Sequence, residues 1–267
     1  MPVRILHVSD LHVGAHEDEA VQQAIAAVAA QVAPELVIAT GDLTHSGRRD
    51  QHERAARFLR ALGPPVLAVP GNHDIPRPAD PARALHPWRE FERLWETTEP
   101  VYASSTLVAV GLNSVRPWRY QSGAVREEQL ARAEVHLLSA PASAVCVVAL
   151  HHHMVGAPWR SWKRPVSRRN HVLARLVDSG ADLILGGHIH QAAVSERREF
   201  EVVTSDAPRA VVVSIAPGLG QPRPDRRGEA RGFHAYAIDD EAIEVHTHVW
   251  HPDGFRPTAV RRFPRTD

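Results

Sequence analysis

Short apolar runs alternate with amphipathic stretches along most of this chain. Residues 3–9 are near-continuously apolar, which predicts a strand covered on both faces. The runs at 36–39, 66–69, 107–112, 145–150 and 183–185 predict five more. Between them the apolar positions take helical spacing. Val21, Ile25, Val28 and Val32 recur at i, i+4, i+7 and i+11, after the acidic residues Glu17, Asp18 and Glu19 that suit a helix start, and Pro34 ends the stretch. Ala55, Phe58, Leu59 and Leu62 mark a second helical face. Leu130, Leu137 and Leu138 mark the inward face of a helix at 127–138, and Val172, Leu173, Leu176 and Val177 do so for one at 171–178. Strand–helix alternation of this kind predicts βαβ units. Residues 75–100 carry Pro76, Pro78, Pro81 and Pro87 and then a helical piece around Phe91, Leu94 and Trp95, and read as an insertion or cap over a sheet edge. The last third reads as β at 194–203, 210–215, 233–238 and 243–249, with a Gly/Pro/Arg loop at 217–232.

Composition narrows the class. With 267 residues, 43% of them hydrophobic, the chain can bury a sizeable core, and no break in composition divides it, so one domain over 1–267 is expected. Thirty-one basic and 31 acidic residues give a formal net charge of zero, which argues against a broad nucleic-acid surface. Cys146, the only cysteine, lies in an apolar run and is read as a small core residue. No apolar run reaches the ~20 residues of a membrane span, and Met1 leads straight into a strand, so a cytoplasmic protein without membrane contact is expected. Histidine is the abundant type, at 18, and imidazole is the commonest side-chain metal ligand.

Those histidines meet carboxylates at the ends of the apolar runs. Asp10-Leu11-His12, Gly41-Asp42, Gly71-Asn72-His73-Asp74, His151-His152-His153 and Gly187-His188-Ile189-His190 each follow a predicted strand, where open α/β sheets place their ligand-binding groups. Spacing Asp-x-His and His-x-His puts both side chains on one side of an extended backbone. The glycines at 41, 71, 186 and 187 permit tight turns and close approach. Two carboxylates, one amide and four imidazoles form a mixed O/N donor set, suited to Mn, Fe or Zn rather than Ca or Cu(I). Seven ligands exceed one tetrahedral ion and fit two ions sharing a bridging carboxylate.

In this order the five motifs resemble the calcineurin-like binuclear metallophosphoesterases. The compact Asp-x-His start, the triple histidine, Asn113-Ser114 with Gly123 and Gln129, and Ala216-Pro217 with Gly232-Phe233 are similar to the bacterial class III cyclic-nucleotide and glycerophosphodiester phosphodiesterases. The resemblance implies an α/β fold of two mixed sheets packed as a sandwich with helices outside. It implies that Asp10, His12 and His190 hold one metal ion, that Asn72, His151 and His188 hold another, and that Asp42 bridges. His73 would stay unligated, contact the substrate phosphate and act on the leaving group, while Asp74 would orient a neighbouring histidine. His151 is preferred to His152 as ligand because it directly follows the strand. His153 either touches substrate or faces solvent. The implied reaction is hydrolysis of a small phosphodiester by hydroxide activated by the two ions. A phosphomonoesterase, a nuclease and an inactive scaffold are the rival readings, and homo-oligomerisation is left open.

The remaining histidines, His7, His16, His45, His52, His86, His136 and His171, are read as surface or satisfied core residues, with His16 and His45 singled out because they follow ligand motifs closely. His234, His246, His248 and His251 are read as the polar positions of a half-exposed strand. Trp159, Arg160, Trp162, Lys163, Arg164, Arg168 and Arg169 form either a substrate-stacking cap or an amphipathic cover. Arg223, Arg226, Arg227 and Arg231 are read as a solvated loop.

Overall fold

The computed structural model describes residues 2–15, 19–119, 121–155, 163–191, 193–196, 211–220 and 231–265. The first sheet holds β1 (Val3–Val8), β2 (Leu36–Thr40), β3 (Val66–Val69), β10 (Gly232–Ile238), β11 (Ala242–His251) and β12 (Gly254–Pro264), in the order β12-β11-β10-β1-β2-β3. The second holds β4 (Val101–Ala103), β5 (Leu107–Leu112), β6 (Val145–Leu150), β7 (Leu183–Gly186), β8 (Ala193–Glu196) and β9 (Val212–Ile215), in the order β4-β5-β6-β7-β9-β8. Strands β1, β2 and β3 run parallel, as do β5, β6, β7 and β9. The other pairings are antiparallel, so both sheets are mixed.

Period two in each strand sorts side chains into separate layers. Ile5 of β1 joins Ile38, Val69, Leu107, Val147, Leu185 and Tyr236 in the core between the sheets. Its neighbours Leu6 and Val8 point outward, where α1 (Glu19–Val32) and α2 (Arg49–Arg60) cover them with Val21, Ile25, Ala55 and Leu59. On the far side α5 (Glu127–Leu138) and α6 (Arg169–Asp178) cover the second sheet through Leu130, Leu137, Val172 and Leu176. Each such apolar side chain taken fully from water contributes about 1.5–3 kcal/mol. Sheets sandwiched between helices bury both strand faces, which is why the parallel strands read as unbroken apolar runs.

The 75–100 insertion carries α3 (Ala82–Leu85) and α4 (Arg89–Trp95). Phe91 anchors it in the outer core, meeting the His52 ring edge-on at 6.2 Å. Three details depart from the sequence pattern. Leu138 is 71% exposed, because it lies a helical step past the buried Leu137. In α1 the buried third position is Ala29, with Val28 and Val32 only partly covered. Edge strands β4 and β12 lack a strong apolar run. β12 follows a Pro252-Asp253-Gly254 turn and carries Pro257, opposite a register shift at Thr247/His248, which an edge strand tolerates. Of the expected strand at 194–203, residues 197–203 lie outside the described residues, as do His16, Trp159, Arg160, Trp162, Arg223, Arg226 and Arg227. No helix among the described residues is long and apolar enough to cross a membrane.

Candidate metal centre

Parallel strands of both sheets end at one edge, and the loops leaving them converge there. Beyond β1 and β2 the two chains stay paired. Asp10 N donates to Gly41 O at 2.9 Å, His12 N to Asp42 O at 2.9 Å, and Val13 N to Leu43 O at 3.0 Å. The loop after β3 brings Asn72, His73 and Asp74 alongside, and His73 N donates to Asp42 Oδ1 at 2.8 Å. From the second sheet β6 delivers His151 and β7 delivers His188 and His190. A hydrogen bond from His151 Nδ1 to Thr40 O, 2.8 Å, joins the sheets at this edge.

The backbone here is strained in a telling pattern. Eight non-glycine residues among those described have positive φ: Asp10 (52°), His12 (48°), Ala33 (46°), Asp42 (49°), Glu96 (65°), Arg168 (56°), His188 (73°) and His190 (57°). Five of these eight are candidate ligands. Left-handed conformations cost of order 1 kcal/mol each and persist where the surroundings impose them, typically at functional sites. This corrects the extended-backbone reading of Asp10-Leu11-His12 and His188-Ile189-His190. The paired side chains do converge, but through two left-handed residues flanking one ordinary residue.

Two donor clusters share one carboxylate. Asp10, His12, Asp42 and His190 form the first, and Asp42, His151 and His188 the second, with all ligand atoms of a cluster within 4.8 Å of one another. In the first, His190 Nε2 lies 3.0 Å from Asp10 Oδ1 and 3.1 Å from His12 Nε2. In the second, His151 Nε2 lies 3.4 Å from Asp42 Oδ1, 3.2 Å from Asn72 Oδ1 and 3.1 Å from His188 Nδ1. Donors ~2.1 Å from one ion stand ~3.0–3.4 Å apart, so these spacings suit ligands around a common cation. Asp10 Oδ1, Asp42 Oδ2 and Asn72 Nδ2 are buried without a hydrogen-bond partner among the described residues. A buried carboxylate oxygen left so is costly unless a positive charge meets it. The residues present therefore fit a metal, and the oxygen–nitrogen set fits transition-metal chemistry.

Electrostatics agree. Burial alone would raise the Asp10 and Asp42 pKa values, yet the neighbouring imidazoles, His190 and His151 foremost, hold both below the usual carboxylate range. Burial likewise lowers His12 and His188, keeping them neutral as ligation requires. For His151 burial also lowers, but the Asp42 carboxylate outweighs it and the ring is pushed up to about 9.

Around the ligands sits a tight frame. Ser9 Oγ donates to Asp10 Oδ2 at 2.6 Å. A Cβ on Gly187 would sit 1.8 Å from Ser9 Oγ, and one on Gly71 would sit 2.3 Å from Asp42 Oδ1, so neither position admits a side chain. Gly41 has φ +81°, whereas Gly186 has room for a Cβ, with nothing closer than 3.6 Å. Asp74 meets the His52 ring through its backbone carbonyl, which lies 3.1 Å from His52 Nε2, while its carboxylate serves the backbone. Its carboxylate accepts from Leu43 N (3.1 Å), Thr44 N (2.8 Å), Thr44 Oγ1 (3.0 Å) and Gly71 N (2.8 Å), and so ties the Asp42 loop to the Asn72 loop. His151, not His152, enters the cluster, while His152 Nδ1 bonds Ser114 Oγ at 2.9 Å over Gly123. His153 is buried, which removes the solvent-facing reading, and neither ring nitrogen has a hydrogen-bond partner among the described residues. The Lys163 ammonium donates to His188 O.

A family model described as calcineurin-like phosphoesterase matches residues 3–192. The chain belongs to that family. It is 25% identical over 207 residues to a Synechococcus protein named "Probable cyclic nucleotide phosphodiesterase syc0937_d", covering 74% of this chain and 77% of the relative. It is 28% identical over 216 residues to a protein of Pseudomonas aeruginosa named 3',5'-cyclic adenosine monophosphate phosphodiesterase CpdA, covering 78% of this chain and 71% of that one. A dimetal phosphatase from Danio rerio superposes with a TM-score of 0.65 over the full length of both chains at 13% identity, a likeness of fold. As a family member the chain is a phosphoesterase fold carrying a candidate metal-binding cluster of His and Asp side chains.

Several supporting residues gave no signal in the sequence. Ser9 and Thr40 act on Asp10 and His151, one through its hydroxyl and the other through its carbonyl, and nothing in their local pattern marks them. His45 stands 5.8 Å from His73, centroid to centroid, and its proximity to Asp42 in sequence was the available hint. His7 is a satisfied core histidine, bonded to Tyr236 Oη (3.2 Å) and Thr40 Oγ1 (2.9 Å), while buried His52 bonds Asp74 O (3.1 Å) through Nε2 and has no Nδ1 partner among the described residues. His234 corrects the half-exposed reading. It is fully buried, with Nε2 donating to Ile215 O at 3.0 Å.

Proposed function

We propose that this chain hydrolyses a phosphodiester of the cyclic-nucleotide or glycerophosphodiester type. Asp10, His12 and His190 would hold one metal ion and Asn72, His151 and His188 a second, with Asp42 between them. Mn, Fe and Zn all suit this donor set. The observation that carries the proposal is Asp42 standing in both donor clusters, each otherwise built of separate side chains. A metal pair, when bound, lowers the pKa of an attacking water and stabilises charge on the attacking and leaving oxygens.

The chain's own residues supply the rest. Asp74 and the paired loops hold Asp42 and Asn72 in place. Thr40 O holds a proton on His151 Nδ1, so Nε2 is the nitrogen turned toward the cluster and free to ligate once its own proton leaves. His73 donates Nδ1–H to His45 O at 2.8 Å. Proton exchange with the leaving oxygen thus falls to His73 Nε2, as expected of a general acid. His153, buried beside the His188 ring at 6.1 Å, is positioned to line the substrate side. The names of the relatives support a diester over a monoester, and zero net charge weighs against a long nucleic acid.

The test is to strip the protein of metal and reload it with Mn, Fe or Zn. Each form is then assayed on a cyclic nucleotide, a glycerophosphodiester, a phosphomonoester and linear DNA. Reloading should restore diester turnover, and faster turnover of the monoester or DNA would reject the substrate class. His73→Ala should keep wild-type metal content and lose about 10²–10⁴-fold in kcat. Equal turnover would remove His73 from the chemistry.

A further inference from the structure

One further ligand-like cluster shares only His12 with the metal-holding set. Nitrogens of His12, His45 and His73 lie within 4.8 Å of one another. The His45 and His73 rings stack at 5.8 Å with 26° between planes, and His45 stands 6.0 Å from the His12 ring. His12 is buried, while His45 and His73 are half-buried, so this cluster forms the mouth of the site and the two carboxylate clusters form its floor. We propose that His45 is a second phosphate-contacting imidazole, set beside His73 to receive a non-bridging oxygen of the substrate while His73 attends to the leaving oxygen. This rests on the reading of the floor as a metal centre.

Charge decides between an anion and a third cation. Among the described residues, each floor cluster contains a carboxylate and the mouth cluster contains none. A third cation there would find only neutral donors and would be repelled by the ions held below. A phosphoryl oxygen would instead meet imidazole N–H groups on one side and positive charge on the other, the arrangement in which charge-assisted hydrogen bonds are strongest.

The His45 backbone is also held ready. Its N–H donates to Val13 O at 3.0 Å, and its carbonyl accepts from His73 Nδ1 at 2.8 Å. Thr44 before it is fastened to Asp74, and Gly47 after it has φ +68°, where a Cβ would meet Ile75 O at 2.5 Å. A backbone fixed on both flanks carries the ring to one place, so little ordering is lost when the anion arrives.

The experiment uses metal-loaded wild type, His45→Ala and His45→Asn, all of which retain the carbonyl that His73 needs. Metal per chain is measured by elemental analysis, and binding of inorganic phosphate by calorimetry. His45→Ala should keep wild-type metal content and bind phosphate on the order of tenfold more weakly, one lost charge-assisted hydrogen bond. His45→Asn, which can still donate, should lie between. KM for a diester should rise in parallel, with kcat changing less. Unchanged phosphate affinity in His45→Ala would overturn the proposal. So would loss of metal in both variants, or a third zinc equivalent present in wild type and missing from His45→Ala. If wild type turns over no phosphoester at all, the hydrolase reading fails, yet the phosphate titration still decides the role of His45.

Discussion

Replacing Asp74 by asparagine should loosen the site without touching a metal ligand. Both oxygens of Asp74 are spoken for. Oδ2 accepts from Leu43 N and Gly71 N, and Oδ1 from Thr44 N and Thr44 Oγ1. Asparagine must turn its NH₂ toward one pair. Facing Thr44, it strands a single amide, because the Thr44 hydroxyl can give its proton to His73 O, 2.9 Å away. Facing Leu43 and Gly71, it strands two. A buried N–H without an acceptor costs about 1–3 kcal/mol, so the cheaper orientation prevails and a loss of about 2 kcal/mol is expected. Against a total stability of about 5–15 kcal/mol this is large. In urea it corresponds to a midpoint roughly 1 M lower. Because the loop released is the one carrying Asp42, metal affinity should fall as well, measured by competition with a chromophoric chelator. An Asp74→Asn protein with the wild-type midpoint and wild-type metal affinity would show that the carboxylate does not hold these loops together.

Other perturbations probe separate parts of the design. Gly187→Ala should cost about 1–3 kcal/mol by driving a methyl into Ser9 Oγ. Adding Ser9→Ala should recover part of that loss, and purely additive effects in chemical denaturation would disprove the clash. Asp42→Ala should lose bound metal, since both donor clusters use this carboxylate, and full occupancy by elemental analysis would refute the shared role. Burial of His234 lowers its pKa to about 4. The unfolded chain binds that proton more readily, so the stability involved is complete above about pH 6.5 and is lost as pH falls toward 4. The loss should reach about 3 kcal/mol and be absent from the pH–stability curve of His234→Gln, and parallel curves would exclude the assignment.

Local pattern alone specified the framework. Each central strand was visible as an apolar run, because a sheet covered on both faces requires one. α2 and α6 were visible in their periodic faces, and α1 and α5 in most of theirs. Asp10, His12, Asp42, Asn72, His73, His151, His188 and His190 stood out because each follows such a run. What the sequence could not express was anything set by the meeting of distant segments. Leu138 looks like Leu137 until a helix turns it outward. The Asp74 carboxylate reads as a partner for a histidine until the loop from β2 offers it two amides and a hydroxyl and Gly71 a third amide, leaving the Asp74 carbonyl to meet His52. The left-handed turns at Asp10 and His12 accompany backbone pairing with the distant Gly41-Asp42 loop, and the one at His188 accompanies its amide bonding Asp10 Oδ2, so no local preference of Asp or His foretells them. The placing of His45 beside His73 belongs to the same class. Its own neighbours fix only a turn, and the tertiary contacts with Val13 and His73 decide where that turn sits.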